Sequence, residues 1–214
     1  MKLRYSLAMM ALCLTSAVSA QKAQINLYTS YVFDDKFDSY YDPGSYYEGK
    51  IMGGLQFGAG IEFKPHPMQG IELMYLRQNT TAPVRYYKNG EQNSTFDVGL
   101  NYITIGGNRY FKQPGSKVEG YAGALLGCNV LSIKNSKENY SSSSTKFAWG
   151  LKGGANIWVS PRVGIKLQAQ LLSSVQGAGG GLYFGTGGIS TGLSTYSTMF
   201  QFSLGGGLVF KVGH

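Results

Sequence analysis

The chain is poor in charge, cysteine and histidine. Charged residues make up 14% of its 214 positions, where a soluble domain carries about 25%, so little charge is left to coat a water-facing surface. Cysteine occurs only at Cys13 and Cys128, and histidine only at His66 and His214. Neither type offers the clustered spacing of a metal site. After the first twenty residues no stretch is long and apolar enough for a membrane-crossing helix. The bases scatter along the chain instead of forming a stripe, so nucleic acid is not expected as a partner. What is abundant is Gly, at 31 positions, and Tyr, at 16. Strands and turns must therefore dominate.

The N-terminus carries a different signal. Lys2 and Arg4 precede the apolar run Leu7 to Leu14, and Val18-Ser19-Ala20 supplies the small residues that a signal peptidase reads. The run is too short to cross a bilayer as a helix and reads as a secretory signal peptide over residues 1–20, cleaved before Gln21. Cys13 leaves with it, so Cys128 stands alone and no internal disulfide is expected. Losing Lys2 and Arg4 lowers the net charge from +8 to +6. Residues 21–214 are expected to form one domain.

From Ile25 onward, segments of period two alternate with polar stretches of two kinds. Lys64 to Gly70, Lys112 to Lys117 and Ser160 to Arg162 are short and contain Pro, two of them also Gly. They predict tight turns. Residues Asp34 to Glu48, Gln78 to Thr95, Lys134 to Thr145 and Ser173 to Thr198 are long and rich in Ser, Thr, Asn, Gly and Tyr, and predict extended loops. Three turns and four loops join eight strands, near 25–33, 50–63, 71–77, 96–111, 118–132, 146–159, 163–172 and 199–212.

Successive strand residues face opposite sides of a sheet, and the two rows segregate by chemistry. In the seventh strand Val163, Ile165, Leu167, Ala169 and Leu171 alternate with Gly164, Lys166, Gln168 and Gln170. The second, sixth and last strands behave alike: Leu55, Phe57, Ala59, Ile61 and Phe63 alternate with Gln56, Gly58, Gly60 and Glu62. Every charge in these four strands falls on the second row. That row holds Gly, Gln, Asn and Ser with a rare ion, which suits a crowded interior better than a water-facing surface. Four ions, Glu62, Glu119, Lys152 and Lys166, are expected to pair with one another there, and the bulky row is expected to meet lipid. A soluble barrel holding a lipophilic ligand would show the same period with its rows reversed. Aromatics near strand ends suggest two interfacial girdles: Phe63, Tyr110, Phe111 and Phe210 at the turn side, and Tyr31, Phe33, Tyr75, Phe96 and Phe147 at the loop side. Ile103, Ile105 and Leu125 fall on the expected inner row, which a bulge or an inner apolar cluster would explain. The interior glycines Gly58, Gly60, Gly150, Gly154, Gly205 and Gly207 either make room for large neighbours such as Tyr121 or leave a narrow cavity.

The leader, the strand count, the loop asymmetry and the last strand, FQFSLGGGLVFKV, together resemble the small outer-membrane β-barrel family, the OmpX/OmpA-type, porin-like barrels of Gram-negative bacteria. The last strand looks like a C-terminal assembly signal, although here Phe210 is followed by Lys211-Val212-Gly213-His214. The resemblance implies an eight-stranded antiparallel up-and-down transmembrane β-barrel in the outer membrane, with both termini periplasmic. It also implies outer-membrane lipid and the barrel-assembly machinery as partners.

No catalytic residue, metal ligand or cofactor site is expected. His66 lies between Pro65 and Pro67 in a periplasmic turn, and reads as an exposed turn histidine. The Gly-rich stretch Gly177 to Gly192 lacks the GK[ST] ending of a phosphate loop. Loop one groups Tyr40, Tyr41, Tyr46 and Tyr47 around Asp42-Pro43-Gly44. They could form a contact surface for an extracellular protein or glycan, or extend the girdle. The expected function is a non-enzymatic structural, adhesion or partner-binding role carried by the loops, with a narrow solute channel as the alternative, because eight strands enclose a lumen that side chains can fill. If the leader is read correctly, the intact mass of membrane-extracted protein corresponds to a chain starting at Gln21. A mass that retains residues 1–20 would refute it.

Overall fold

The computed structural model describes residues 22–42, 45–87, 91–135, 140–175, 181–185, 188–192 and 199–212; the leader lies outside them. The strands are β1 (Lys22–Val32), β2 (Asp35–Asp42), β3 (Ser45–Ile51), β4 (Gly54–His66), β5 (Gln69–Tyr87), β6 (Glu91–Lys112), β7 (Val118–Asn135), β8 (Tyr140–Trp158), β9 (Val163–Val175), β10 (Gly181–Gly185), β11 (Gly188–Gly192) and β12 (Met199–Val212). Eight of them, β1, β4 to β9 and β12, form an antiparallel up-and-down barrel, each paired with the next. It closes where β12 pairs with β1, from Ala23↔Val212 to Val32↔Ser203.

The three tight turns are formed as the sequence predicts. Between β6 and β7 the Ser116 amide donates to the Gln113 carbonyl at 3.1 Å, and Gly115 has φ of +75°. Pro114 supplies the fixed φ of the first central position and Gly115 the positive φ that a type II turn requires at the second. The loop side departs from expectation. The segment Gln78 to Thr95 is largely a continuous ladder of β5 with β6, running to Tyr87↔Glu91, and β7 pairs with β8 as far as Asn135↔Tyr140. The other two expected loops contain the hairpins β2–β3 and β10–β11. Thr, Tyr and Val suit strands as well as loops, and a paired ladder satisfies backbone groups that a free loop leaves to water.

Burial confirms the direction of the rows. Leu55, Phe57, Ile61, Leu151, Ile165, Leu167, Phe202 and Leu204 all point outward, Leu167 with 51% of its surface exposed. Gln56, Glu62, Lys152, Asn156, Lys166, Gln168, Gln201 and Ser203 are buried inside. A soluble ligand-binding barrel requires the reverse. Two sequence expectations are corrected. Ile103 and Ile105 face outward, whereas Leu125 points in as expected and joins an inner apolar cluster. Tyr110 and Phe96 do not belong to the girdles, because their strand rows turn them into the lumen, where both are buried. Of the remaining girdle positions, Tyr31, Phe33, Tyr75, Phe111 and Phe147 are exposed on the outer wall, and Phe63 and Phe210 are half-buried.

An outer wall built for lipid should penalise charge by depth. Leu167 lies mid-strand and Val159 beside the β8–β9 turn, and both face outward. Leu167→Arg should cost about 2–4 kcal/mol of folding free energy in lipid vesicles, and Val159→Arg about 0–1 kcal/mol. Equal losses in urea titrations of the two variants would contradict the lipid-facing assignment.

Candidate functional site

The lumen is where polar side chains gather, and it is divided into two halves. Toward the turns, alternation on eight strands delivers three carboxylates, Glu62 (β4), Glu72 (β5) and Glu119 (β7). Three ammonium groups face them: Lys64 (β4), Lys152 (β8) and Lys166 (β9). All four residues picked out in the sequence are inside, yet none pairs with another of the four. Lys152 forms its ion pair with Glu72, both side chains fully buried. Glu119 takes Lys64 at 3.3 Å. Glu62 has neutral donors: Tyr110 OH at 2.6 Å, Asn108 Nδ2 at 2.8 Å and Asn26 Nδ2 at 3.3 Å. Lys166 Nζ has no hydrogen-bond acceptor among the described residues, and instead lies 4.1 Å from the centre of the Tyr121 ring, a cation–π contact.

Glu72 is the residue that sequence reading missed. It gathers Lys152, Tyr28 OH, Asn26 Nδ2 at 2.7 Å and Asn108 Nδ2 at 3.2 Å, more partners than any of the four expected ions. Its signal was present in the alternation Ile71-Glu72-Leu73, which puts Glu72 on the inner row. Two glycines make room for the carboxylates; of the interior glycines picked out in the sequence only Gly60 does so, and at Gly58, Gly150, Gly154, Gly205 and Gly207 a Cβ would meet the backbone of the adjacent strand. A Cβ on Gly60 would fall 3.1 Å from Cδ of Glu72, and one on Gly70 would fall 2.9 Å from Cδ of Glu62.

Toward the loops an apolar cluster shares the lumen with buried amides and hydroxyls such as Gln56, Asn129 and Ser174. Met74, Leu76, Leu100, Leu125, Leu131, Ile133 and Leu172 join one buried cluster that also holds Phe96, Val98 and Tyr102. At its border Tyr102 OH donates to Gln201 Oε1 at 2.8 Å, and Gln201 Nε2 donates to Gln78 Oε1 at 3.0 Å. The interior is thus not polar throughout. On β5, β6 and β7 both rows are apolar over part of their length, because one meets the outside and the other closes the lumen.

Above the rim, the β2–β3 hairpin is fastened at its base. Lys50 pairs with Asp34, Asp35 Oδ2 accepts the Phe200 amide at 3.1 Å, and β3 pairs with β5 from Gly49↔Val84 to Tyr47↔Tyr86. Burial pushes the Asp35 carboxyl above its ordinary value, and the Phe200 amide partly offsets this. Tyr40 and Tyr46 are register partners on this hairpin; the side chains of Tyr40, Tyr41, Tyr46 and Tyr47 lie outside the described residues. His66 is exposed in its turn, where Nδ1 accepts the Met68 amide at 3.2 Å.

Among solved structures the chain is similar to the outer membrane protein OprG from Pseudomonas aeruginosa, with a TM-score of 0.60 and 12% identity, covering 92% of this chain and 98% of that one. It is also similar to Neisserial surface protein A, with a TM-score of 0.55 and 15% identity, covering 88% and 97%. The fold is therefore that of the small eight-stranded outer-membrane barrels. No protein-family model matches the chain. No curated protein matches it in sequence.

The ion pair makes a sharp test of the lumen. Lys152→Met leaves the Glu72 carboxylate buried without its cation and should destabilise the barrel by about 3–5 kcal/mol. Adding Glu72→Gln should restore part of the loss, because the two side chains share one interaction. Urea unfolding in vesicles, followed by tryptophan fluorescence, measures both. Strict additivity of the two changes would mean that they do not interact.

Proposed function

We propose that this chain is a non-enzymatic integral outer-membrane barrel with a sealed lumen, and that its specific activity is recognition of an extracellular protein or glycan by the loop-side hairpins. The carrying observation is the apolar cluster that fills the loop-side lumen. Leu76, Leu100, Leu125 and Leu172, each at most 2% exposed, crowd the lumen at one level and leave little room for a hydrated solute. Below the cluster Glu72 pairs with Lys152 and Glu119 with Lys64, Glu62 is held by fixed neutral donors, and Lys166 lies against the Tyr121 ring. They serve the stability of the wall and are not set out as a binding site for a solute.

The outward apolar belt and the likeness of fold support residence in the outer membrane. In that setting the ends of β1 and β12, paired at Ala23↔Val212, face the periplasm with the short turns. Export by the leader and insertion by the barrel-assembly machinery complete the reading. The partner surface is assigned to the β2–β3 hairpin, since the strand pairing and the ion pair at its base hold its backbone still. Tyrosines on a stiff hairpin lose little entropy on contact.

Two measurements test this. In planar bilayers the protein should give no conductance steps, whereas replacing Leu100, Leu125 and Leu172 together by Gly should open a leak. Steps from the unaltered protein would support the narrow-channel alternative instead. On glycan and matrix-protein arrays, cells displaying the protein should bind at least one class of spot, and changing Tyr40, Tyr41, Tyr46 and Tyr47 to Ser should abolish that binding while the heat-dependent gel shift persists. Unchanged binding would remove the hairpin as the contact surface.

A further inference from the structure

The outer wall carries a groove of about 400 Å³ near the turn side, lined by Pro65, Gln69, Ile71, Gly107, Arg109 and Ala122 among others. Gln69, Arg109 and Ala122 lie side by side in the ladder across β5, β6 and β7. All three are exposed on the outer face, as are Ile71 and Gly107. Here the wall is thin. Gly107 has no side chain, and a Cβ there would meet no atom within 4 Å.

Arg109 is out of place. The outward rows around it hold Phe111, Ile105, Ile71 and Val118, and among the described residues Arg109 makes no hydrogen bond or ion pair within the barrel. It lies three residues before the end of β6 at Lys112, so it sits one outward step deeper than the girdle residue Phe111. A guanidinium in hydrocarbon demands an anion, and its fork of donors matches phosphate oxygens. A side chain this close to the interface reaches headgroup depth by extending along the wall.

We propose that the groove is a binding site for one phospholipid of the turn-side leaflet. Arg109 holds the phosphate, the Gln69 amide donates a second hydrogen bond, and an acyl chain lies in the trough over Gly107 and Ala122 against Ile71. The occupant follows from charge and place: the groove opens on the lipid-facing wall, it is apolar except at the end nearest the turns, and its one charge is positive. The site rests on the membrane reading given above, and adds to it a defined lipid where the rest of the belt meets lipid without selection.

Native mass spectrometry of detergent-released barrels tests it, with phosphatidylglycerol, dioleoylglycerol and inorganic phosphate as probes. The unaltered protein should retain a single phosphatidylglycerol and neither of the other two. Arg109→Gln should lower the retained fraction about tenfold, as loss of one charge-assisted contact predicts. Gly107→Phe, which fills the trough without meeting the barrel, should do the same, whereas Arg77→Gln on the loop side should change nothing. Retention unchanged in Arg109→Gln, or equal retention of dioleoylglycerol, overturns the site; retention of inorganic phosphate overturns a lipid occupant. A chain that stays folded without detergent or lipid would overturn the membrane reading itself, a failure distinct from loss of the adduct in an intact barrel.

Discussion

Inside a barrel jacketed in hydrocarbon, a charge cannot reach water through the wall and must find its counterion across the lumen. The Lys152–Glu72 pair meets that requirement, and much of the interior is arranged around it. The two residues come from β8 and β5, which are not neighbours in the ladder, so their contact ties opposite walls together. It also fixes register. A slip of β5 by one residue would turn Glu72 into the lipid and Ile71 into the lumen, exchanging both rows at once. Asn26, Tyr28 and Asn108 complete the carboxylate's partners, and Gly60 leaves the space in which it sits.

From this follows the division of the lumen. Three carboxylates share the turn-side lumen with three ammonium groups, and apolar side chains take much of the remaining length. Those side chains crowd the loop-side lumen. They give β5, β6 and β7 two apolar faces, which an ordinary amphipathic strand lacks. The Lys152–Glu72 pair braces the cylinder across its lumen, and the β2–β3 hairpin is fastened to its rim by Asp34, Asp35 and the β3–β5 ladder.

Much of the fold was legible because a barrel writes its geometry into a period of two. The eight barrel strands, the three turns and the outward direction of the bulky row could be read directly. Gln113-Pro114-Gly115-Ser116 read as a tight turn, and the φ of Gly115 then gave its type. The loop-side ends were misread because Ser, Thr, Asn and Tyr are shared by solvated strands and loops. Only a partner in the right register turns such a stretch into a ladder, as the pairing of Thr81 with Asp97 shows. Phe96 and Tyr110 were assigned to girdles by their nearness to strand ends, although their row, one residue out of step with Phe111, already turned them inward.

The sequence by itself determined that the chain alternates, that its ions share a row, and that Glu62, Glu119, Lys152 and Lys166 lie on the row that structure places inside. Which ion meets which was decided by tertiary structure alone. Period two gives the face a side chain takes but not its height in a closed cylinder, and height depends on the stagger between strands. That stagger lifted Glu72 to Lys152, gave Glu119 to Lys64, left Glu62 to Tyr110 and Asn108, and set Lys166 against the Tyr121 ring.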